Sequence, residues 1–187
     1  MNKFLKWILG FLFVIALGIA GYLYIETDAF KPKLSPADTV SFKMNDWKMD
    51  VFYNRPSKRN RDIFGALVPY DEVWRTGANE ATTFETNFPI SIGDTNLLSA
   101  GKYTLWTIPN DTLWRIIFNS KQYPWGVDET MKPMRDPAFD VLNLAVKPQK
   151  LERPVEQFTI GFDNSTAIVF LTLAWDHVKI MVPIEKK

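Results

Sequence analysis

The 187-residue chain has no cysteine and a single histidine, His177. The first absence excludes disulfides, thiol nucleophiles, zinc fingers, iron–sulfur ligation and a lipid-modified N-terminal cysteine. With one imidazole, a zinc site would need mostly carboxylate ligands, so neither a metal nor a cofactor is expected. A dominant charge is lacking too. Lys and Arg number 22 against 21 Asp and Glu, a formal net charge of +1, and no strong field draws nucleic acid to the surface. Ser57, Ser91 and Ser99 have no G-x-S-x-G context, which argues against a nucleophile elbow. Asp94-Thr95-Asn96 hints at calcium, but the other ligands of a binding loop are missing.

What the chain does have is apolar and aromatic material, 47% and 14% of its residues, enough for one domain with a sizeable core. Its strongest signal is N-terminal, MNKFLKWILGFLFVIALGIAGYLYIETD (1–28). Trp7 to Ile25 carries no charge and, at 1.5 Å per residue, matches a hydrocarbon core about 30 Å thick. Lys3 and Lys6 precede the run and Glu26 and Asp28 follow. The positive-inside rule then predicts a single-pass cell-membrane anchor with a cytoplasmic N-terminus and a periplasmic or extracellular body. A cleaved signal peptide is the rival reading, with small residues at Gly18-Ile19-Ala20 and Thr27-Asp28-Ala29, but the run exceeds a signal core of about 7–15 residues. FKPKLSPAD (30–38), with Pro32 and Pro36, reads as an extended tether. The expected organisation is an anchor (1–28), a linker (29–38) and a folded domain (39–187).

The remainder reads as strands. WKMDVFYN (47–54) alternates with period two, the mark of a strand with one buried face. FPISI (88–92), KYTLWTI (102–108), TLWRIIF (112–118), FDVLNLAVKP (139–148), QFTIGF (157–162), TAIVFLTLAW (166–175) and VKIMVPI (178–184) follow. IPND (108–111) predicts a hairpin, and Asp176-His177 a tight turn joining the last two strands. Pro89 and Pro183 point to edges or strand ends. The fold class is all-β: an antiparallel β-sandwich, jelly-roll or immunoglobulin-like, with a small barrel as the alternative.

RPSKRNRDIFGALVPYDEVWRTGANEATTFETN (55–87) and SAGKYTLWTIPNDTLWRIIFN (99–119) resemble the two blocks of a bacterial family, domain of unknown function 2911. Trp125-Gly126 and the C-terminal strands extend the likeness over roughly residues 40–185. The resemblance implies an exported β-rich domain and brings no catalytic residues. Asn60 stands where that family commonly has glycine, a departure a left-handed Asn absorbs.

Within the first block, Trp74, Arg75, Thr76, Asn79, Glu80 and Thr82 surround Gly77. Trp74 offers a flat apolar surface with one N–H donor. Arg75 offers a fork for carboxylate, phosphate or carbonyls, and Gly77 a positive φ for a sharp turn. One reading is a polar knot in which Arg75 pairs with Glu80 and Asn79 closes the turn. The other is a ligand site of convergent polar groups on an apolar floor, with Tyr123 and Trp125 as loop aromatics beside it. The preferred function is a non-catalytic module binding a small molecule or an envelope glycan, peptide or protein. The alternatives are a hydrolase or isomerase using Glu80 or Asp71 with Arg75, and a purely structural envelope protein. Asp71, Glu72 and Glu80 are the carboxylates near the block, and His177 reads as a solvated turn residue. The basic run Arg55, Lys58, Arg59 and Arg61 reads as a solvated loop or a contact for anionic lipid or polymer.

Overall fold

The computed structural model describes residues 2–26, 34–93 and 96–187. They form two separate units, divided between Lys33 and Leu34. The first contains the helix α1, Lys3–Glu26. It is long and apolar enough to span a membrane or to serve as a signal sequence.

Among the described residues the second unit holds ten strands in two antiparallel sheets. β1 (Ala37–Met44), β2 (Trp47–Asn54), β3 (Thr83–Thr86), β6 (Gly101–Ile108), β7 (Trp114–Asn119) and β8 (Asp140–Val146) form a six-stranded sheet in the order β1-β2-β3-β6-β7-β8. β4 (Ile90–Ile92), β5 (Asn96–Leu98), β9 (Gln149–Asp163) and β10 (Val169–Lys186) form the second, ordered β5-β4-β10-β9. Met49, Val51, Phe84, Leu105, Ile116 and Phe118 of one sheet share a single buried cluster with Ile160, Leu171, Leu173, Ile180 and Val182 of the other. Inward residues at alternate positions on both sheets make this an antiparallel β-sandwich. The expected hairpin at 108–111 joins β6 to β7, with Ile108 opposite Arg115. Asp136 caps a single 3-10 turn, Pro137–Phe139, at the start of β8.

The turn expected at Asp176-His177 is a bulge instead. β10 runs unbroken through these residues and keeps pairing with β9: Ala174 opposite Thr159, Asp176 opposite Val155, Val178 opposite Lys150. The extra residues lie on β9, where Val155–Thr159 faces only Ala174–Asp176 of β10, and Asp176 itself adopts φ 51° without reversing its strand. The segments 166–175 and 178–184 therefore continue each other rather than pairing. β9 pairs with β10 only up to Lys179, and β4 only from Ile184. Pro183 falls between the two ladders, where its missing N–H interrupts neither.

β6 is buried on both faces. One face joins the sandwich core through Leu105. The other puts Trp106 into a second cluster with Ala81, Ile117 and Tyr123, packed against Val73 and Ile108. The block 73–82 and the loop after β7 thus cover the outer face of the six-stranded sheet.

Candidate functional site

Trp74 docks on the end of β6. Its N–H donates to the Thr107 carbonyl at 2.7 Å, and the Thr107 N–H returns a bond to Trp74 O at 3.0 Å. The chain rejoins β6 where the Leu105 N–H donates to Thr82 O at 2.8 Å. Residues 75–81 form an excursion between these points, bent by Thr76 (φ 57°) and Asn79 (φ 54°). Gly77 is not among the positive-φ residues. It is needed for space, because a Cβ there would lie 3.0 Å from Asn54 O and 3.1 Å from the Thr82 hydroxyl.

Part of the block serves the backbone. The Thr82 hydroxyl donates to Thr76 O at 2.8 Å, the Thr76 hydroxyl lies 3.2 Å from that of Thr107, and Trp74 Nε1 donates to Gly77 O at 3.0 Å. Thr76 and Thr82 are fully buried. Asn79 Nδ2 donates to Ser35 O and to Asn54 Oδ1, at 3.1 and 3.2 Å. Asn54 Nδ2 in turn donates to Glu80 Oε2 at 2.7 Å.

The expected Arg75–Glu80 ion pair does not form. Arg75 Nη1 donates to the Trp125 carbonyl at 3.1 Å, and Glu80 is engaged by Asn54. A second link, Ala81 N–H to Pro124 O at 3.2 Å, ties the loop 120–135 to the block. Burial pulls the Arg75 pKa below the ordinary arginine value, and the nearby Glu80 charge opposes that pull.

Above this frame lies a cavity of about 600 Å³. Trp74, Arg75, Gly77 and Asn79 line it, as do Arg59 and Arg61 from the basic run, Glu72, Trp175 and the loop residues Val127 and Met131. The rings of Trp74 and Trp175 stack with centroids 5.9 Å apart and planes 19° from parallel, forming an apolar wall. Arg59 and Arg61 arrive there because residues 56–58 run along the free edge of β9. Phe158 N–H donates to Pro56 O at 2.9 Å, and Lys58 N–H to Glu156 O at 2.7 Å. Arg59 and Asn60 then turn the chain with φ 49° and 57°, so Asn60 takes the left-handed conformation expected of it.

Trp74, Arg75 and Asn79 are therefore brought to one cavity, and Thr76, Glu80, Thr82, Tyr123 and Trp125 are not among its lining residues. Tyr123 is buried edge-on against Trp106, and its hydroxyl accepts from the Asp136 N–H at 2.9 Å. Trp125 is exposed and contributes its carbonyl to Arg75. Asp71 accepts from Asn110 Nδ2 at 2.8 Å. Nothing in the sequence pairs Arg59, Arg61 or Trp175 with Trp74, yet all four line the cavity. The basic run carries a signal in the sequence, but only its pairing with β9 shows where it leads.

His177 lines a smaller cavity of about 240 Å³ with Tyr70, Asn110 and Trp114. Its Nδ1 lies 2.9 Å from Leu151 O, so in the neutral ring that nitrogen carries the proton. The calcium hint at 94–96 rests on Asp94 and Thr95, which lie outside the described residues.

A family model described as "Protein of unknown function (DUF2911)" matches residues 35–184. No curated protein and no solved structure matches the chain.

Proposed function

This chain belongs to the DUF2911 family, and from that premise we propose that it is a membrane-anchored extracytoplasmic module that binds a ligand in the cavity walled by Trp74. The cavity itself is the supporting observation. Its volume, about 600 Å³, falls in the range of about 300–1,000 Å³ of ligand pockets, and it combines apolar walls with a few convergent polar groups. The catalytic alternative is weaker. Among the described residues Glu72 is the only carboxylate lining the cavity, whereas acid–base chemistry on a glycan calls for two that face each other. Glu80 is held by Asn54 away from the lining.

The anchor reading draws on the charge asymmetry around α1. Lys3 and Lys6 precede the apolar run, and the acidic residues follow it. In right-side-out spheroplasts, added protease is expected to degrade the β-domain. Full protection of that domain, with degradation only after lysis, would refute the topology.

Binding is tested on the full chain in detergent micelles by thermal shift against a panel of envelope glycans and peptides. The expected outcome is stabilisation by at least one member, which Ala78→Trp, filling the cavity, abolishes. Ala78 lines the cavity and is only half-buried, so the larger ring has room to enter it. A panel without effect, or stabilisation indifferent to that substitution, would remove the reading.

A further inference from the structure

Three guanidinium groups line the cavity, Arg59, Arg61 and Arg75, against the single carboxylate of Glu72. Among the lining side chains three cations meet one anion, while two carboxylates outside the lining lie near them, Glu80 by Arg75 and Glu156, whose Oε1 accepts from the Arg59 N–H at 2.9 Å. Backbone carbonyls hold all three arginines. Arg59 Nη2 donates to Leu34 O at 2.8 Å, Arg61 Nε and Nη2 to Lys58 O and Ser57 O at 3.0 and 2.7 Å, and Arg75 Nη1 to Trp125 O at 3.1 Å. Carbonyls fix the direction of a guanidinium without cancelling its charge. Other cations of this domain are neutralised: Arg55 by Asp38, Arg135 by Asp140 and Lys58 by Asp176. The two remaining arginines, Arg115 and Arg153, occupy exposed strand positions where water solvates them. Arg59 and Arg61 are themselves exposed and Arg75 is half-buried, so what sets these three arginines apart is that they line one cavity.

Arg75 is the most committed of them. With Nη1 tied to Trp125, its Nε–Nη2 edge has no protein partner among the described residues. That edge is the fork that grips a carboxylate or phosphate through two parallel hydrogen bonds. Beside it, Val68, Pro69, Trp74 and Trp175 supply apolar surface.

We propose that the cavity holds a small organic anion, a carboxylate or a phosphate monoester, with its charged end on the Arg75 fork and its apolar body against Trp74 and Val68. The proposal rests on the ligand-binding reading above and narrows it to one chemical class. Arg59 and Arg61 attract the anion, and Arg75 orients it.

The test uses the full chain in detergent micelles, with benzoate, phenyl phosphate and neutral benzyl alcohol as probes, followed by calorimetry and tryptophan fluorescence. At least one anion is expected to bind about tenfold more tightly than benzyl alcohol, and to weaken as salt rises from about 0.05 to 0.5 M. Which anion it is separates a carboxylate ligand from a phosphate ligand. Arg75→Gln should erase that preference and leave benzyl alcohol unaffected. Arg59→Gln, which spares the Arg75–Trp125 bond, should reduce the preference by a smaller factor and serves if Arg75→Gln does not fold. Equal affinity for all three probes, or an undiminished preference in both variants, overturns the anion assignment but leaves the cavity a binding site. No anion binding up to about 10 mM also overturns it, and a blank envelope panel as well would remove both readings.

Discussion

Gly126 sits at φ 74°, and a Cβ there would lie 3.1 Å from the Trp106 ring, 3.2 Å from Ala81 and 3.3 Å from the Arg75 Cβ. Gly126→Ala therefore meets two costs, left-handed backbone strain and crowding against a fully buried tryptophan. Together these amount to roughly 2–3 kcal/mol, measurable as a lower midpoint in urea at unchanged slope. The same substitution pushes on Arg75, so anion affinity should fall with stability. None of this could be read from the dipeptide Trp125-Gly126, since the three neighbours come from other parts of the chain. Gly77 makes the converse case. Its block looks like a turn needing positive φ, yet Thr76 and Asn79 take those angles and Gly77 only makes room for Asn54 O. Sequence types the residues of such a loop well. It does not say which of them bends and which yields space.

Strands were legible where one face is buried and one is wet. β2 has that pattern, whereas β6 and β7 are buried on both faces and are marked instead by the turn residues 108–111 between them. β1 lacks a legible pattern, because Asp38 shares its inward face with Val40 and Phe42 and most of the strand is exposed. The first half of β9, QKLERPVE, is charged and largely exposed, so only 157–162 stood out. β10 hid its continuity behind Asp176. Long-range pairing, absent from local pattern, sustains these segments. The edge of β9 shows how. Tyr53 of β2 reaches it, the hydroxyl accepting from Ile160 N–H at 3.0 Å and donating to Ile160 O at 3.4 Å. Tyr53→Phe keeps the edge-to-face contact with Phe158, centroids 5.8 Å apart, and leaves a buried N–H without its acceptor. The expected loss is about 1–2 kcal/mol. Hydrogen exchange should show faster exchange of the Ile160 amide while the β6–β7 amides are unchanged. An unaltered Ile160 rate would mean that the two sheets are not coupled through this hydroxyl.

At the scale of the whole molecule, the bonded carboxylates shape the response to acid. Four aspartates have pKa values held below the usual carboxylate range. For Asp46 the Lys186 ammonium is the main cause, for Asp128 the Thr130 hydroxyl, and for Asp163 the Ser165 side chain and N–H. Burial pushes Asp50 the other way, but bonds from Lys48 and Ser41 outweigh it. A carboxylate with a folded pKa below its unfolded value binds its proton more weakly in the native state. Its contribution is complete above the unfolded pKa, near 4, and is lost as pH falls through the lower folded value. Two of these aspartates tie separate segments together, since Asp46 and Lys186 join the β1–β2 turn to the end of β10 and Asp50 bonds Ser41 across the β1–β2 ladder, whereas Asp128 and Asp163 close local turns. Urea midpoints should therefore stay level from about pH 7 to pH 5 and decline below about pH 4. Asp46→Asn should flatten part of that decline and weaken with added salt, because its partner is a surface lysine. A midpoint that already falls between pH 7 and 5 would place the controlling group elsewhere and remove these carboxylates as the cause.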